Sequence, residues 1–362
     1  MTKDKNILIH NIYYMLAYAF RHFKFNNMFE QIKGEKFDDV QDLLAEILIR
    51  SVSNQIKQGL YRTYVSQEGA LPVIRGKIDL LKTHEVQMHK PLQAYCRYDE
   101  LSLNNPYNQI VKATLQNLLR CSNVDSDRKK SIRDILRYFI YIDSMSLVSV
   151  QWNQFVFDGN NQNYQFLVNI CRFIYEEKLM TTEKGEYKMK SLSDDQMERL
   201  FEKFVLEYYK KHHPETKPIG GKQIRWKTKT TSNILPILKT DIILTIGNRT
   251  LIIDTKYTSK SMNDYYETKK IHSKHAEQIV LYVTNFDVGH TGMVDGMLLY
   301  AKTQEDVVPD DKDILTDGNV LYYKTLDLNQ DFKGVRQQLD NIVNSIRESC
   351  TEMNNSSIEY NS

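Results

Sequence analysis

Residues 235–257 read LPILKTDIILTIGNRTLIIDTKY, and this stretch decides the fold expected for the second half of the chain. Two apolar runs, 235–246 and 250–257, flank the short segment Gly247-Asn248-Arg249. Apolar runs joined by a Gly-Asn turn are typical of an antiparallel hairpin. The sequence therefore predicts two neighbouring strands connected by a three-residue turn.

Each strand of this hairpin carries a carboxylate. Asp241 lies inside the first run, Asp254 lies near the end of the second, and Lys256 follows two residues later. Side chains two residues apart in a strand share a face, and pairing across the turn brings Asp241 beside Asp254. Two oxygen ligands suit Mg²⁺, and a nearby lysine can orient the attacking water or stabilise charge on a phosphate. The pattern D-(x12)-D-x-K is that of the PD-(D/E)xK nuclease superfamily, although D-x-K after an apolar run also arises by chance.

A helix predicted at 273–286 adds two candidate active-site residues. Gln278 and Tyr282 are four residues apart and therefore share one face of the helix. Q-x-x-x-Y after D-x-K is the arrangement of RecB-like nucleases, where it borders the active site. The alternative is that these two residues have no catalytic role and simply lie on a half-exposed edge of the helix.

A helix predicted at 193–212 supplies a possible fourth group. Its apolar stripe leaves Glu207 near one edge and Glu202 near the other. We expect Glu207 to complete a metal site with Asp241 and Asp254. Glu202 stays open as the alternative, and a solvated helix flank is the structural explanation for either residue.

The surrounding pattern predicts an α/β protein, with an α+β N-terminal region followed by a C-terminal domain whose mixed central sheet is flanked by helices. A short, polar, Gly-containing segment at 181–190 is the predicted domain boundary. The other predicted elements are helices at 7–24, 40–58, 106–121, 127–146, 162–179 and 330–350, a strand pair at 71–79 broken at Gly76, and a strand at 296–301.

Composition narrows the function classes. The chain has 362 residues, a formal net charge of +2, and four cysteines without a C-x-x-C pair. No apolar run approaches the length of a membrane span, so we expect a cytoplasmic protein of about two domains. The near-neutral charge conceals an uneven distribution, because residues 203–274 carry 15 Lys and Arg against 6 Asp and Glu. The densest basic run, 210–229, directly precedes the hairpin and is a candidate surface for phosphates.

Several blocks together resemble the McrC family, the nuclease subunit of the McrBC modification-dependent restriction system. The resemblance covers nearly the whole chain. The blocks that carry it are 9–19 (IHNIYYMLAYA), 74–79 (IRGKID), 98–112, 238–242 (LKTDI), 251–257 (LIIDTKY) and 270–273 (KIHS) with Gln278 and Tyr282.

This resemblance implies a function and partners beyond what the residues give. McrC-like proteins pair with McrB, a hexameric AAA+ GTPase that binds the GTP, and cut double-stranded DNA carrying modified cytosine. Applied here, residues 1–185 would dock on and activate the GTPase, 186–350 would form a Mg²⁺-dependent PD-(D/E)xK endonuclease of an antiviral defence system, and 351–362 would be a frayed tail. Asp241, Asp254, Lys256, Gln278, Tyr282 and Glu207 would be the catalytic set. A stand-alone RecB-like nuclease and a non-catalytic adaptor of an AAA+ motor remain the alternatives.

Overall fold

The computed structural model describes residues 9–20, 37, 40–159, 161–179, 194–228, 234–258, 261–265, 268–302 and 307–359. These residues form two compact units. One unit comprises the described residues of Leu44–Met189, and the other comprises those of Met1–Leu43 and Lys190–Ser362. The predicted boundary segment 181–190 lies outside the described residues.

Within these ranges the helices and strands follow one another in a mixed order. The helices are α1 (Ile9–Ala19), α2 (Val40–Gln58), α3 (Leu80–Gln87), α4 (Pro106–Leu119), α5 (Ser126–Leu136), α6 (Gln162–Leu179), α7 (Asp194–His212), α8 (Ser273–Phe286) and α9 (Phe332–Glu359). The strands are β1 (Thr63–Leu71), β2 (Lys77–Ile78), β3 (Ala94–Ser102), β4 (Ile219–Gly220), β5 (Gln223–Ile224), β6 (Leu238–Lys239), β7 (Ile242–Ile246), β8 (Arg249–Lys256), β9 (Met262–Tyr265), β10 (Thr268–Ile271), β11 (Val294–Ala301), β12 (Asp311–Ile314) and β13 (Val320–Leu326). The mixed α/β class predicted from the sequence is confirmed.

The unit Leu44–Met189 combines helices with a three-stranded antiparallel sheet in the order β1-β3-β2. The predicted pairing within 71–79 is wrong, because β1 and β2 both pair with β3 and not with each other. Gly76 has a φ of 68°, and a Cβ there would lie 2.3 Å from the Arg97 carbonyl oxygen. Asp79 then caps α3 by accepting a hydrogen bond from Lys82 N.

Two helix boundaries differ from those predicted. The helix expected over 127–146 ends at Leu136 and is followed by a 3₁₀ turn, Arg137–Phe139. The last helix, α9, runs on to Glu359, so residues 351–359 are helical although a frayed tail is predicted there. No Gly or Pro interrupts this extension, which removes the usual cause of helix termination.

The second unit is built on a six-stranded mixed sheet in the order β12-β13-β11-β8-β7-β4. β7 and β8 form the predicted hairpin, but Ile246 pairs with Arg249, so the turn has two residues, Gly247 and Asn248, and not three. β11 runs parallel to both β8 and β13. The parallel pair β8 and β11 is connected through α8, which packs on the sheet.

Both faces of this sheet are covered. Ile252 and Leu298 pack against Ile279 and Val283 of α8. Strand residues of the other parity, such as Ile253, are also fully buried. α7 packs on β8, and α9 packs on β7 and β13. The close fit of α8 depends on Gly296 of β11, where a Cβ would lie 2.7 Å from Ile279 and 2.8 Å from Val283.

Helix α1 belongs to this second unit, although the sequence places it with the N-terminal region. Its face is buried against α7 and the start of α9. Tyr14 stacks on Phe332 with ring centroids 3.7 Å apart. The Tyr18 hydroxyl and His212 Nε2 share a 2.8 Å hydrogen bond. Asn11 Nδ2 donates to the carbonyl oxygens of Leu328 and Gln330. A domain boundary at residue 185 therefore places α1 in the wrong unit, because the apolar and aromatic face of α1 is part of the core of the second unit.

Candidate active site

The centre of the candidate site is Asp254 on β8. Its side chain is fully buried, and among the described residues neither carboxylate oxygen has a hydrogen-bond partner of good geometry. The ammonium of Lys256 lies 2.6 Å from Asp254 Oδ2 as an ion pair. The two residues share a face of β8, as the alternation of the strand predicts. A buried carboxylate this poor in donors is costly unless a cation meets it.

The surroundings of Asp254 disfavour its ionised form. Burial raises the pKa of this carboxyl above its usual value, and the negative charge of Asp241 raises it further. The Lys256 ammonium acts in the opposite direction. A metal cation would supply the additional positive charge that this carboxylate lacks.

Asp241 is placed differently from the prediction. It lies between β6 and β7 and not inside a continuous strand, and Ile242, the first residue of β7, pairs with Ile253. Asp241 Oδ2 accepts hydrogen bonds from Thr255 N at 2.8 Å and from Thr255 Oγ1 at 2.9 Å. These bonds hold Asp241 against the same part of β8 that carries Asp254.

Helix α8 brings Gln278 and Tyr282 to the site through a directed chain of hydrogen bonds. Lys256 Nζ donates to Gln278 Oε1 at 3.0 Å, and Gln278 Nε2 donates to the Tyr282 hydroxyl at 2.8 Å. The Tyr282 hydroxyl in turn donates to the Lys239 carbonyl oxygen at 2.7 Å. Each link of this chain pairs one donor with one acceptor, so α8 helps to fix the position of the Lys256 ammonium.

Glu207 forms no metal-binding group with Asp241 and Asp254 among the described residues. It is buried on α7 and forms a 2.9 Å ion pair with Lys210. Glu202 lies within electrostatic range of Asp241: burial, followed by the negative charge of Asp241, raises the pKa of Glu202 to about 7. Glu202 and Glu207 are five residues apart and therefore point in directions about 140° apart around the helix. The electrostatic effect of Asp241 favours Glu202, and which of the two glutamates completes the site stays a prediction.

The donor set fits a metal held by few protein ligands. Within the described ranges, no group of three or more His, Cys, Asp or Glu side chains is close enough to hold a metal ion, so the predicted trio Asp241, Asp254 and Glu207 does not assemble. The pair Asp241 and Asp254 remains, with the oxygens of Asp254 lacking donors. Mg²⁺ commonly binds through one or two carboxylates and completes its shell with water and substrate oxygens. The pair has the chemistry for such an ion.

Comparison with known proteins identifies the family of the chain. The model of the family described as "McrBC 5-methylcytosine restriction system component" matches residues 2–301. The chain belongs to this family. The resemblance to McrC inferred from the sequence is thereby confirmed at the level of the family.

Two relatives of the McrBC-family chain extend the comparison. It is 25% identical over 303 residues to a protein of Escherichia coli K12 named "Type IV methyl-directed restriction enzyme EcoKMcrBC", covering 81% of this chain and 86% of the relative. It also shares its fold with a chain in the structure of Thermococcus gammatolerans McrB AAA+ hexamers with bound McrC. That likeness has a TM-score of 0.58 at 15% identity, and it covers 91% of this chain and 76% of the other.

Three residues at the candidate site of this McrBC-family chain were not predicted from the sequence. Thr255, the variable residue of D-x-K, anchors Asp241. Glu198 acts electrostatically on Asp254 and lies one helical turn before Glu202. His275 lies on the Gln278 face of α8 and forms a 3.0 Å hydrogen bond with the Tyr300 hydroxyl. Only His275 had a sequence signal, its spacing of three residues from Gln278.

The structure also bears on the membrane. None of the helices in the described part of the chain combines the length and hydropathy needed to cross a bilayer.

Proposed function

We propose that this chain is the endonuclease subunit of a GTP-dependent, modification-dependent restriction complex. It hydrolyses phosphodiester bonds of double-stranded DNA carrying modified cytosine, it requires Mg²⁺, and it works with a McrB-like AAA+ GTPase hexamer that binds the GTP. The observation that carries the proposal is the fully buried Asp254 carboxylate, without a well-placed hydrogen-bond donor, beside Asp241 and Lys256. A purely structural aspartate at this depth would have donors on both carboxylate oxygens, whereas among the described residues Asp254 has the Lys256 ammonium alone, at Oδ2.

The residues of the site have separable roles in this reaction. Asp241 and Asp254 hold the metal, and Glu202 adds a third negative charge at their side in place of Glu207. When bound, Mg²⁺ lowers the pKa of the attacking water and polarises the phosphate. Lys256 keeps an ammonium beside the reacting phosphate, where it stabilises the developing negative charge. Gln278 and Tyr282 hold that ammonium in place through their hydrogen bonds to each other and to β6.

The basic segment before the hairpin supports the choice of DNA as substrate. The side chains of Lys211, Lys217, Lys222, Arg225 and Lys227 are exposed, and they precede Asp241 in the chain. Exposed cations bind the phosphate backbone without reading its sequence. We assign them to non-specific contact with DNA, and residue 229 of the predicted run lies outside the described residues.

The unit Leu44–Met189 is proposed as the region that docks on the GTPase partner. It exposes large apolar side chains on and around β2 and α3, which are Val73, Ile74, Leu80, Leu81, Met88 and Leu92. Exposed apolar side chains grouped on one small module are typical of a protein–protein interface. The relatives support a partner of this kind, because one is named a McrBC enzyme and the other is McrC bound to McrB AAA+ hexamers.

Reconstitution separates this proposal from its alternatives. The purified chain is combined with its McrB-like GTPase, GTP, Mg²⁺ and DNA with or without 5-methylcytosine, and double-strand breaks are quantified. We expect cleavage only when partner, GTP, Mg²⁺ and the modified base are all present. Cleavage by the chain and Mg²⁺ alone would identify a stand-alone nuclease. GTPase stimulation without any cleavage would identify a non-catalytic adaptor.

A further inference from the structure

One face of α8 contacts three neighbouring strands through three polar side chains, and only two of them belong to the predicted site. Gln278 accepts from Lys256 on β8, and Tyr282 donates to the carbonyl of Lys239 on β6. One turn earlier, His275 Nδ1 is 3.0 Å from the hydroxyl of Tyr300 on β11. The three positions are spaced as i, i+3 and i+7, so His275 continues the face that already carries the site.

Tyr300 lies directly beside Lys256 in the sheet. The two residues are register partners in the parallel pair of β11 and β8, so their side chains emerge on the same face. Tyr300 is fully buried, and its burial, followed by the nearby negative charge of Asp254, keeps the pKa of its hydroxyl above the usual value. The hydroxyl therefore stays protonated and needs an acceptor, and Nδ1 of His275 is the partner found for it among the described residues.

This contact sets the form of the His275 ring. With Nδ1 accepting from Tyr300, the neutral imidazole carries its proton on Nε2. The pKa of His275 is lowered to about 4, first by burial and then by the positive charges of Lys256 and His272, so the ring stays neutral near pH 7. Nε2 has no hydrogen-bond partner among the described residues, and the side chain is only half-buried. A half-exposed N–H donor without a partner among the described residues thus lies within electrostatic range of Lys256.

We propose that His275 is a substrate-binding residue of this site, whose Nε2–H donates a hydrogen bond to a phosphate oxygen of the DNA backbone. Tyr300 is its positioning residue. The inference rests on the proposed nuclease function and adds a group to it. The first turn of α8 contains no acidic side chain, so no negative charge of that turn opposes a phosphate there. A neutral donor also adds a contact without placing a second positive charge beside the Lys256 ammonium.

Three variants of the full chain, each combined with the GTPase partner, GTP, Mg²⁺ and methylated DNA, test this role. His275→Leu removes the donor and is expected to lower kcat/KM for DNA cleavage by about 10- to 100-fold, the range for one lost hydrogen bond to a charged group. His275→Gln keeps an N–H at a similar reach and is expected to recover most of the rate. Tyr300→Phe frees the ring and is expected to fall between the two. GTPase stimulation, the Mg²⁺ concentration for half-maximal rate and the melting temperature should stay at wild-type values.

The outcomes are distinguishable. If wild type cleaves and His275→Leu cleaves at the same rate, the inference is wrong and the proposed function stands. If wild type does not cleave at all, the proposed function is wrong, and the inference fails with it. A raised Mg²⁺ requirement in His275→Leu, or a loss in His275→Gln equal to that in His275→Leu, would contradict a phosphate contact. Should His275→Leu fail to fold, the comparison of His275→Gln with Tyr300→Phe carries the test, because only the inference predicts the smaller loss for His275→Gln.

Discussion

Asp241 and Asp254 carry the same functional group in contrasting surroundings. Asp241 is partly exposed and accepts two hydrogen bonds from Thr255, whereas Asp254 is buried and accepts none of good geometry among the described residues. The first is a carboxylate that the protein itself stabilises. The second is stabilised mainly by positive charge, which Lys256 supplies in part. This contrast is the strongest residue-scale argument for a metal at the site.

The two glutamates of α7 give a matched prediction at this scale. Glu202→Gln should lower DNA cleavage by about tenfold or more, because it removes a negative charge that acts on Asp241. Glu207→Gln should leave the cleavage rate within about twofold of wild type, since Glu207 pairs with Lys210. Rates are measured under single-turnover conditions in the reconstituted complex. The reverse ranking of the two variants would reinstate Glu207 in the site.

The same pair shows where sequence reasoning stops at the scale of residues. Helical periodicity places Glu202 and Glu207 on opposite edges of the apolar stripe, but it does not say which edge faces the sheet end. That choice depends on the direction in which α7 crosses β8, which is a tertiary property. Asp254, Lys256 and Gln278, in contrast, could be grouped in advance because strand alternation and the Q-x-x-x-Y spacing are local.

At the scale of elements, the close packing of α8 against β11 determines whether Gln278 reaches Lys256. Gly296 makes this approach possible, because Ile279, Val283 and Leu321 occupy the space that any larger side chain would need. The helix therefore keeps Gln278 within hydrogen-bond distance of Lys256 only while it stays close to the sheet.

Gly296→Val should displace α8 and weaken both folding and activity. We expect a loss of about 1–3 kcal/mol in the free energy of unfolding, typical of overpacking, and a lower cleavage rate as Gln278 moves away from Lys256. Urea denaturation and the cleavage assay measure the two effects. Gly69→Val in β1 is the control, since a Cβ at that position has no neighbour within 4 Å. Wild-type stability and activity in Gly296→Val would refute the close seating of the helix.

The elements also differ in how well they could be predicted. The hairpin of β7 and β8 and the helix at 273–286 follow from local signals, namely the Gly-Asn turn and the apolar period. β12 was not predicted because its sequence, DKDI, is mostly charged and its strand structure depends on pairing with β13. β13 does begin with a strand-like run, VLYY, although no strand was predicted there. The prediction of a strand pair within 71–79 is wrong because β1 and β2 both pair with β3, which lies outside that segment.

At the scale of the whole molecule, α1 is separated from its packing partners by most of the chain. Asn11 donates to Leu328 and Gln330, which are more than 300 residues away. The second unit therefore combines α1 with the described residues that follow Lys190, and the unit proposed to dock on the GTPase is inserted between them in sequence.

This arrangement predicts that a substitution in α1 destabilises the second unit. Asn11→Ala removes the hydrogen bonds to the carbonyl oxygens of Leu328 and Gln330, and it should lower the free energy of unfolding by about 1–3 kcal/mol. Asn163→Ala, whose bond to Gln58 is exposed, should change it by less than about 0.5 kcal/mol. Urea unfolding measures both, and equal values for the two variants would mean that α1 contributes little to this core.

The central claim is that one unit cuts DNA and the other activates the partner, and Asp254→Ala tests it most directly. In the complex with the McrB-like GTPase, methylated DNA and Mg²⁺, cleavage and GTP hydrolysis are followed in the same reaction. We predict that cleavage falls by at least about 100-fold, since several kcal/mol of transition-state stabilisation are lost, while stimulation of the GTPase stays at the wild-type level. Retained cleavage, or loss of both activities in a folded variant, would contradict the account.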